Sequence, residues 1–378
     1  MRIAQVAPLF ESVPPKLYGG TERVVSYLTE TLVAHGHDVT LYASGDSMTS
    51  ARLEPPTSRA LRLSETCRDP LAPHHVMFEQ VIRDRDRFDI VHFHTDHLHF
   101  GLARHTGLRH LTTLHGRQDL PELGPLFKEF VEAPVVAISE AQQRQVPHAR
   151  WLGVVHHGLP PDQYRFSERP DGYLAFLGRV SPEKGLDRAI EIATRLGMVL
   201  RVAAKVDRAD RDYYVHQIAP LLHNPYVEFI GEIADSEKSA FLGGARALLF
   251  PIDWPEPFGL VLIEAMACGT PVVAFRRGSV PEIITDGVTG FLVDTVDQAA
   301  AAVERLPALS RRRCRDEFEE RFTATRMMED YLGLYETLTG SAVHAGDARG
   351  GDSLWTTPFR TSSTSMPPRA GLTNEPAF

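Results

Sequence analysis

The sequence predicts an α/β protein with two domains, each built on a doubly wound, largely parallel sheet. Short apolar runs typical of buried strands alternate with helical segments along the chain. The chain has 378 residues, which is too long for one ordinary core and suits two domains. Turn-rich loops follow several apolar runs, and in a parallel sheet such loops gather at the edge where ligands bind.

Composition limits the classes of function. The formal net charge is −9, which argues against general nucleic-acid binding, so a site for a phosphorylated ligand must concentrate its cations locally. Three widely spaced cysteines indicate neither a disulfide framework nor a zinc site. No apolar run approaches membrane-spanning length and the first residues do not resemble a secretory signal, so we expect a cytoplasmic protein without a transmembrane segment.

The first domain is predicted to open with a strand at residues 2–10, a turn-rich loop, and a helix with Thr21 as its N-cap. A strand at residues 38–43 completes a β-α-β unit. Gly19 and Gly20 in the loop are candidates for a phosphate cradle, although they lack the spacing of dinucleotide-binding enzymes. A glycine pair in this place is more often only a turn.

The remainder of the first domain is less regular. Residues 44–75 show little periodicity and are predicted to be mostly loop, followed by a helix at 76–85. Further strands are predicted at residues 89–94, 110–115 and 134–139. His115 stands at the carboxyl end of its strand, where a side chain faces the crevice. The alternative is a histidine whose hydrogen bonds are satisfied within a loop.

Four histidines in one short stretch raise the question of a metal site: His92, His94, His97 and His99. His92 and His94 share one face of a strand, but a metal ion would need a further ligand at the right geometry. Short motifs of this kind produce many false positives. We therefore expect no metal here.

The second domain is predicted to follow a turn and linker at residues 154–161 and to begin with a strand at 173–177. Arg179 and Lys184, with two glycines, lie between this strand and a helix at 186–196. Two cations and a helix N-terminus can act on the same ligand, so we predict an anion site. The alternative is a solvated loop with Lys184 exposed.

Two more strands and a helix follow, at residues 199–204, 227–230 and 235–243. The tripeptide Gly231-Glu232-Ile233 lies at the end of the second of these strands, beside the predicted crevice. Backbone groups there could meet a flat ring, so we count Ile233 as a candidate binding residue.

The stretch at residues 251–274 contains the strongest candidate chemistry. A buried run ends at Pro251, a Pro-rich loop carries Glu256, a short helix follows at 260–268, and a strand follows at 271–275. Backbone N–H groups at the start of a helix lack partners within the helix and can bind an anion or a polyol. The residues at this position are Phe258, Gly259, Leu260 and Val261.

Two acidic residues belong to this unit: Glu256 in the loop and Glu264 on the helix. Eight helical residues would separate them by roughly 12 Å along the axis, which is wide for a glycosidase pair at about 5–9.5 Å. We interpret them as holding two different parts of one long, hydroxyl-rich ligand. The alternative is one acid that caps the helix and one that is exposed on its outer face.

The last part of the chain is predicted to contain a short helix at 281–284, a strand at 291–293, and helices at 298–306 and 315–338. Residues 341–378 are rich in Ser, Thr, Pro and Gly and have few large apolar side chains. We expect this tail to be mobile unless a partner orders it.

In combination, these motifs resemble those of the family-four retaining glycosyltransferases. The motifs are Gly19-Gly20-Thr21-Glu22, Gly178-Arg179 to Lys184-Gly185, and the Glu256 to Glu264 loop and helix. The resemblance runs from about residue 2 to residue 338 and implies the GT-B fold, in which two Rossmann-like domains face each other across a cleft. With the linker and the tail read from the sequence, the predicted domains are an acceptor domain at 1–160, a nucleotide-sugar domain at 161–320, a helix crossing back at 321–340, and the flexible tail at 341–378.

The resemblance implies roles at the nucleotide end of the site. Glu264 would accept hydrogen bonds from the ribose hydroxyls of a nucleotide sugar. Arg179 and Lys184 would hold the diphosphate and neutralise it as it leaves, assisted by the backbone N–H groups of Gly19 and Gly20. The family generally works without a metal, and no cofactor is implied beyond the nucleoside diphosphate sugar that serves as donor substrate.

The resemblance also implies roles at the sugar end. Glu256 and the backbone N–H groups of residues 258–261 would hold hydroxyls of the donor sugar, and His115 would contact that sugar from the opposite domain. One departure concerns the end of the first domain. Where many members have Asn-Gly-Val-Asp, this chain has His157-Gly158-Leu159-Pro160, so no role is carried over there.

The implied reaction is metal-independent transfer of a hexose to a hydroxyl acceptor, with retention of anomeric configuration. Three alternatives stay open: a sugar phosphorylase, a nucleotide-sugar epimerase, and a non-catalytic nucleotide-sugar-binding subunit. The acceptor could be a saccharide, a lipid-linked molecule or a small molecule, which leaves peripheral membrane contact open. Nucleic acid is not expected as a partner.

Overall fold

The computed structural model describes residues 1–16, 19–64 and 67–340, and the tail predicted at 341–378 lies outside these residues. Within the described ranges the first sheet has seven parallel strands in the order β3-β2-β1-β4-β5-β6-β7. The strands are β1 (Arg2–Val6), β2 (Asp38–Tyr42), β3 (Arg52–Glu54), β4 (Ile90–Phe93), β5 (His110–Thr113), β6 (Pro134–Ala137) and β7 (Arg150–Val154).

The second sheet, in the same part of the chain, has six parallel strands in the order β10-β9-β8-β11-β12-β13. The strands are β8 (Tyr173–Arg179), β9 (Leu200–Lys205), β10 (Val227–Gly231), β11 (Ala245–Phe250), β12 (Val272–Phe275) and β13 (Gly290–Val293). In both sheets the strand order reverses beside the first strand of the domain. Parallel α/β sheets bind ligands at the carboxyl ends of the strands next to such a reversal.

Helices connect the strands in both domains. In the described residues they are α1 (Gly20–Ala34), α2 (Leu71–Arg83), α3 (Phe100–Thr106), α4 (Leu123–Glu129), α5 (Glu140–Gln145), α6 (Leu186–Leu196), α7 (Arg211–Tyr213), α8 (Asp235–Gly243), α9 (Leu260–Ala267), α10 (Val280–Ile283), α11 (Val296–Arg305), α12 (Arg311–Arg321) and α13 (Ala324–Thr339). The sequence pattern explains their packing: α6, for example, buries Leu186, Ala189, Ile190 and Ala193, one face at helical spacing, in the core of the second domain.

The segment predicted as one helix at 315–338 is two helices, and that prediction was wrong. The chain leaves helical geometry at Phe322 and Thr323, because Leu159 in the linker hydrogen-bonds on both sides of the break. The N–H of Leu159 donates to the Phe322 carbonyl and the N–H of Ala324 donates to the Leu159 carbonyl, each at 2.9 Å. The Thr323 side chain then caps α13 by accepting from the Arg326 N–H at 3.2 Å.

Helix α13 follows the second domain in sequence but packs against the first. Its side chain Tyr335 is completely buried and hydrogen-bonds Gln5 of β1 and His92 of β4, at 3.1 and 2.8 Å. Tyr331 reaches Thr113 at the end of β5, at 2.8 Å. The carboxyl ends of the central strands of the first sheet are therefore tied to a helix from the end of the described chain.

Several short elements were not predicted. Strand β3 lies inside the region predicted as loop, and β7 lies just before the predicted linker, in a stretch for which no element was predicted. Both have partly exposed side chains without a clear alternation. Helix α1 begins at Gly20 with Gly19 as N-cap instead of Thr21, since the Gly19 carbonyl accepts from the Arg23 N–H at 3.2 Å. None of the helices in the described residues is long and apolar enough to cross a bilayer.

Candidate functional site

The carboxyl ends of the two sheets face a cleft of about 560 Å³. Both domains contribute to its walls, and all of the candidate residues from the sequence line it: Gly19, Gly20, His115, Arg179, Lys184, Ile233, Glu256, Phe258, Gly259, Leu260, Val261 and Glu264. Residues separated by more than 200 positions in the chain therefore meet in one place because each follows a strand of a parallel sheet.

Arg179 is the last residue of β8 and points into a group of acids. Its guanidinium lies 2.5 Å from Glu183, 3.3 Å from Asp210 and 3.9 Å from Asp207. Burial raises the pKa of Asp210 and the nearby acids reinforce this, while Arg179 opposes it. A second cation, Lys205, ends the neighbouring strand in register with Arg179.

Lys205 lines the cleft and was missed in the sequence. Its ammonium lies 3.0 Å from Asp207. The signal in the sequence is its position at the end of a buried run, Leu-Arg-Val-Ala-Ala-Lys. The predicted strand at 199–204 stops one residue before Lys205.

Lys184 and Glu256 form a close ion pair at 2.5 Å, with both side chains largely buried. The indole N–H of Trp254 donates to the same Glu256 oxygen at 2.8 Å, and the Lys184 ammonium lies 4.8 Å from the Trp254 ring. The loop that carries Glu256 depends on Gly278, whose φ is +53° and where a Cβ would lie 2.4 Å from the Glu256 nitrogen. A larger residue at 278 would push this loop, and with it Glu256, out of place.

Two helix N-termini face each other across the cleft. Gly20 begins α1, and a Cβ there would lie 3.6 Å from the Leu260 side chain at the start of α9. Gly259 precedes α9 with a φ of +85°, a conformation that favours glycine. The first N–H groups of each helix have no partner within the helix, so the cleft has main-chain donors on both walls.

Glu264 is at the centre of a buried charge network and is 2% exposed, so the alternative of an acid on the outer face of the helix is wrong. Its Oε1 accepts hydrogen bonds from Tyr164 at 3.0 Å, Lys238 at 3.0 Å and Arg23 at 3.3 Å. Arg23 and Lys238 also pair with Asp235, at 3.3 and 3.0 Å. Two acids therefore compensate two cations.

The pKa values of Tyr164 and Asp235 are shifted in this network. Burial raises the pKa of Tyr164 well above its ordinary value, and Glu264 adds to the rise. Burial opposes ionisation of Asp235, but Arg23 and Lys238 outweigh it, so the pKa of Asp235 is lowered. Sequence reasoning missed these partners; Arg23 alone among them stands beside a recognised motif, directly after Gly-Gly-Thr-Glu.

His115 belongs to a buried set of histidines. Its Nε2 lies 2.8 Å from His94 Nδ1, and the other ring nitrogen of His94 lies 2.7 Å from the Gln5 side-chain oxygen. His115 also stacks on His157, with ring centroids 5.2 Å apart. Burial lowers the pKa of His115 to about 3, so the ring is neutral at pH 7.

Two further histidines of the histidine-rich stretch, His92 and His99, hydrogen-bond side chains in the core. Both ring nitrogens of His92 have partners, Tyr335 at 2.8 Å and Thr113 at 2.7 Å, and His99 contacts Thr112 at 2.8 Å. Among residues 1–16, 19–64 and 67–340, no group of three or more His, Cys, Asp or Glu side chains is placed to hold a metal ion.

Two facing parallel sheets of the Rossmann type, with a cleft between their carboxyl ends, define the GT-B fold, and the chain has this fold. Two family profiles match it in succession. The one described as Glycosyltransferase Family 4 matches residues 18–163, and the one described as Glycosyl transferases group 1 matches residues 163–324. Together the two profiles span residues 18–324. The chain belongs to the family-four type of glycosyltransferase and is therefore an enzyme of this class.

One named sequence relative and two solved structures are similar to this chain, and the structures bear on its fold. A glycogen synthase of Mycobacterium tuberculosis is 27% identical over an alignment of 384 positions, which covers 84% of this chain and 92% of the relative. A sucrose-phosphate synthase from Thermosynechococcus elongatus is 19% identical, with a TM-score of 0.75 over 90% of this chain and 100% of the other. The Anabaena protein HepE, solved in complex with UDP-glucose, is 17% identical, with a TM-score of 0.69 over 89% and 100%.

Proposed function

We propose that the protein transfers a hexose from a nucleoside diphosphate sugar to a hydroxyl acceptor, with retention of anomeric configuration and without a metal ion. One observation carries the proposal: Arg179, Lys184 and Glu264 open onto a single cleft that also receives the N-terminus of α9. Cations, main-chain donors and a carboxylate in this order suit a ligand with a diphosphate between a nucleoside and a sugar.

The nucleoside end of the donor would lie against Glu264 and Ile233. Three partners occupy Oε1 of Glu264, whereas no hydrogen bond to its Oε2 occurs in the described part of the chain. Oε2 is therefore the oxygen that would accept hydrogen bonds from the ribose hydroxyls. Arg23 and Lys238 place two positive charges beside this buried carboxylate, at 3.3 and 3.0 Å from Oε1. Hydrogen bonds to a charged acceptor are stronger than those between neutral groups.

The diphosphate would lie between Arg179, Lys184 and the start of α9. Lys205 ends the strand beside Arg179 and would add a further positive charge. These groups would stabilise the negative charge that develops on the leaving phosphate, the effect that contributes most in many transferases. The phosphate, once on the face that the acceptor attacks, would take the proton from the acceptor hydroxyl.

The sugar would lie between Glu256 and His115, on opposite walls. His115 Nδ1 is buried and has no hydrogen-bond partner in the described residues, while Nε2 contacts His94. A neutral imidazole held in this way can hydrogen-bond a sugar hydroxyl through Nδ1. Because HepE was solved with UDP-glucose, UDP-glucose is the first donor to test.

The first experiment is a thermal-shift screen with uridine, guanosine, adenosine and thymidine diphosphates, since a ligand of the folded state raises the melting temperature. The matching nucleotide sugar is then incubated with and without EDTA, and released sugar is followed by NMR. We expect donor hydrolysis with retained configuration in both samples. Inversion, or activity that EDTA abolishes, would contradict the proposal.

Variants separate the proposed site from general effects. Arg179→Ala and Lys184→Ala should each weaken diphosphate binding about tenfold or more, because each removes a charge-assisted contact. Arg195→Ala, on α6 and outside the cleft lining, is the matched control. Equal affinity in all three variants would contradict the placement of the diphosphate. Conversion of the donor to a different nucleotide sugar would identify an epimerase instead.

A further inference from the structure

Asp96 has an unusual backbone conformation for its residue type. It follows β4 with a φ of +49°, the single non-glycine residue with a positive φ in the described residues. Aspartate and asparagine tolerate this left-handed region better than other side chains, but it still costs free energy. Such strain persists where the surrounding structure enforces it, and it concentrates at functional sites.

One oxygen of the Asp96 carboxylate lacks the hydrogen-bond partner that a buried acid needs. The residue lines the cleft, and its Oδ1 is buried without a hydrogen-bond partner in the part of the chain that the structure describes. Burial raises its pKa, an effect that His97 and the backbone N–H groups of His115 and Gly116 oppose. A buried carboxylate oxygen without a donor is unfavourable, so a group that supplies one would bind strongly.

The neighbours of Asp96 place it at the sugar end of the cleft. The loop after β5, which approaches its carboxylate, faces the loop that carries Glu256. Arg117 lies 5.8 Å from the ring of Trp254, and Trp254 donates to Glu256 at 2.8 Å. In the same region, the ring of His157 stacks on that of His115, and its centroid lies 4.8 Å from that of Phe258, just before α9.

We propose that Asp96 is a specificity-determining residue whose carboxylate accepts a hydrogen bond from one hydroxyl of the transferred sugar. The inference rests on the proposed function, because it requires a nucleotide sugar in the cleft. The inference also defines the class of donor. The transferred sugar carries a hydroxyl at the position that faces Asp96, and a deoxy sugar without this hydroxyl is a poor substrate. A site built around a buried acceptor discriminates strongly against the analogue that leaves it unpaired.

Asp96→Asn is the informative variant. Asparagine tolerates the left-handed backbone as well as aspartate does, so the fold should persist. The side-chain oxygen of the asparagine should lie beside the N–H groups of His115 and Gly116, because it can accept hydrogen bonds from them. The NH₂ group then takes the position of the other carboxylate oxygen. The variant then presents a donor where the wild type presents a charged acceptor.

The experiment measures kcat/KM for wild type, Asp96→Asn and the control Asp86→Asn, whose aspartate is 92% exposed. The donors are UDP-glucose, or the nucleotide sugar selected by the screen above, and its mono-deoxy analogues with one hydroxyl removed at a time. We expect the wild type to lose about tenfold to about a hundredfold in kcat/KM with one deoxy analogue, the equivalent of one charge-assisted hydrogen bond. With the intact donor, the kcat/KM of Asp96→Asn should fall below that of the wild type by the same factor. Removing the same hydroxyl from the donor should then cause no further loss of kcat/KM in this variant.

The outcomes separate this inference from the proposed function. If the wild type accepts every deoxy donor as well as the intact one, the inference is overturned even where Asp96→Asn fails to fold. If the kcat/KM of Asp96→Asn falls by the same factor with every donor, Asp96 has a structural role and the inference is also overturned. UDP affinity of Asp96→Asn should stay within about twofold of wild type, because the diphosphate contacts are elsewhere. If the wild type turns over no nucleotide sugar, the proposed function itself fails.

Discussion

Glu282 gives a direct test of what holds the two domains together. It lies on α10 of the second domain, and its carboxylate accepts hydrogen bonds from the backbone N–H groups of Glu140 and Ala141 at the start of α5, at 2.7 and 2.6 Å. Arg144 on α5 and His156 in the linker lie 3.6 and 3.5 Å away. One side chain of the second domain thus caps a helix of the first.

The contacts of Glu282 set the size of the effect. A hydrogen bond to a charged group contributes about 1.5–3 kcal/mol, but water can replace part of it at a helix N-terminus. We therefore expect Glu282→Ala to lower the free energy of unfolding by about 2–3 kcal/mol, and Glu282→Gln, which keeps one acceptor oxygen, by about half as much. Glu304→Ala, exposed on α11, is the control.

Urea unfolding followed by tryptophan fluorescence measures these differences, with a two-state fit accepted only if a second probe coincides. Burial opposes ionisation of Glu282, but His156 and the two N–H groups outweigh it, so its pKa lies below the ordinary value of 4.5. Its contribution should therefore be complete above pH 4.5 and fall as the pH drops through the folded pKa. If both Glu282 variants match the Glu304→Ala control at pH 7, the carboxylate does not join the domains.

Three further predictions concern the cleft and the contact of helix α13 with the first sheet. Glu264→Gln removes one of two acids that compensate buried cations, so nucleoside diphosphate affinity should fall at least about tenfold by calorimetry; unchanged affinity would refute the ribose assignment. Tyr335→Phe leaves buried groups of Gln5 and His92 without a partner and should lower the free energy of unfolding by about 2–3 kcal/mol in urea. Burial raises the pKa of Glu22 from 4.5 to about 7, so the wild type should lose up to roughly 3 kcal/mol of stability between pH 4.5 and pH 8. Glu22→Gln should lack this loss, and parallel pH profiles of the two proteins would contradict the shift.

The sequence was informative wherever the signal was local. Each strand-turn-helix unit is specified by neighbouring residues: the apolar run, the glycines and the helix start around Arg179 and Lys184 all lie within residues 173–186. The rule that parallel strands bring their carboxyl ends to one edge then predicted that these loops meet the Glu256 loop. The structure places them in one cleft; their roles with a ligand stay predictions.

The partners of these residues could not be predicted, because they depend on packing between distant segments. Glu264 hydrogen-bonds Arg23, 241 positions earlier, and His92 meets Tyr335, 243 positions later. Neither pair follows from periodicity or from a motif. For the same reason the histidine-rich stretch was ambiguous in the sequence, since only the returning helix α13 shows which ring nitrogens are already engaged.

The charge balance of the cleft has a consequence for binding. Arg179, Lys184 and Lys205 are all paired with acids, and these are Glu183, Asp207, Asp210 and Glu256. The carboxylates outnumber the cations by one, so the cations are not an open positive surface. A diphosphate can bind them only if carboxylates move away or become protonated.

Asp210 is the acid best suited to take up a proton. Burial already raises its pKa, and Glu183 and Asp207 beside it act in the same direction, while Arg179 opposes the rise. A diphosphate that draws Arg179 away would remove that opposing charge and add negative charge nearby. Binding should therefore be coupled to proton uptake, which calorimetry in buffers of different ionisation enthalpy measures. Asp210→Asn should bind the diphosphate more tightly and with less proton uptake, because the repulsion is gone before the ligand arrives; equal uptake in both proteins would place the proton on another group.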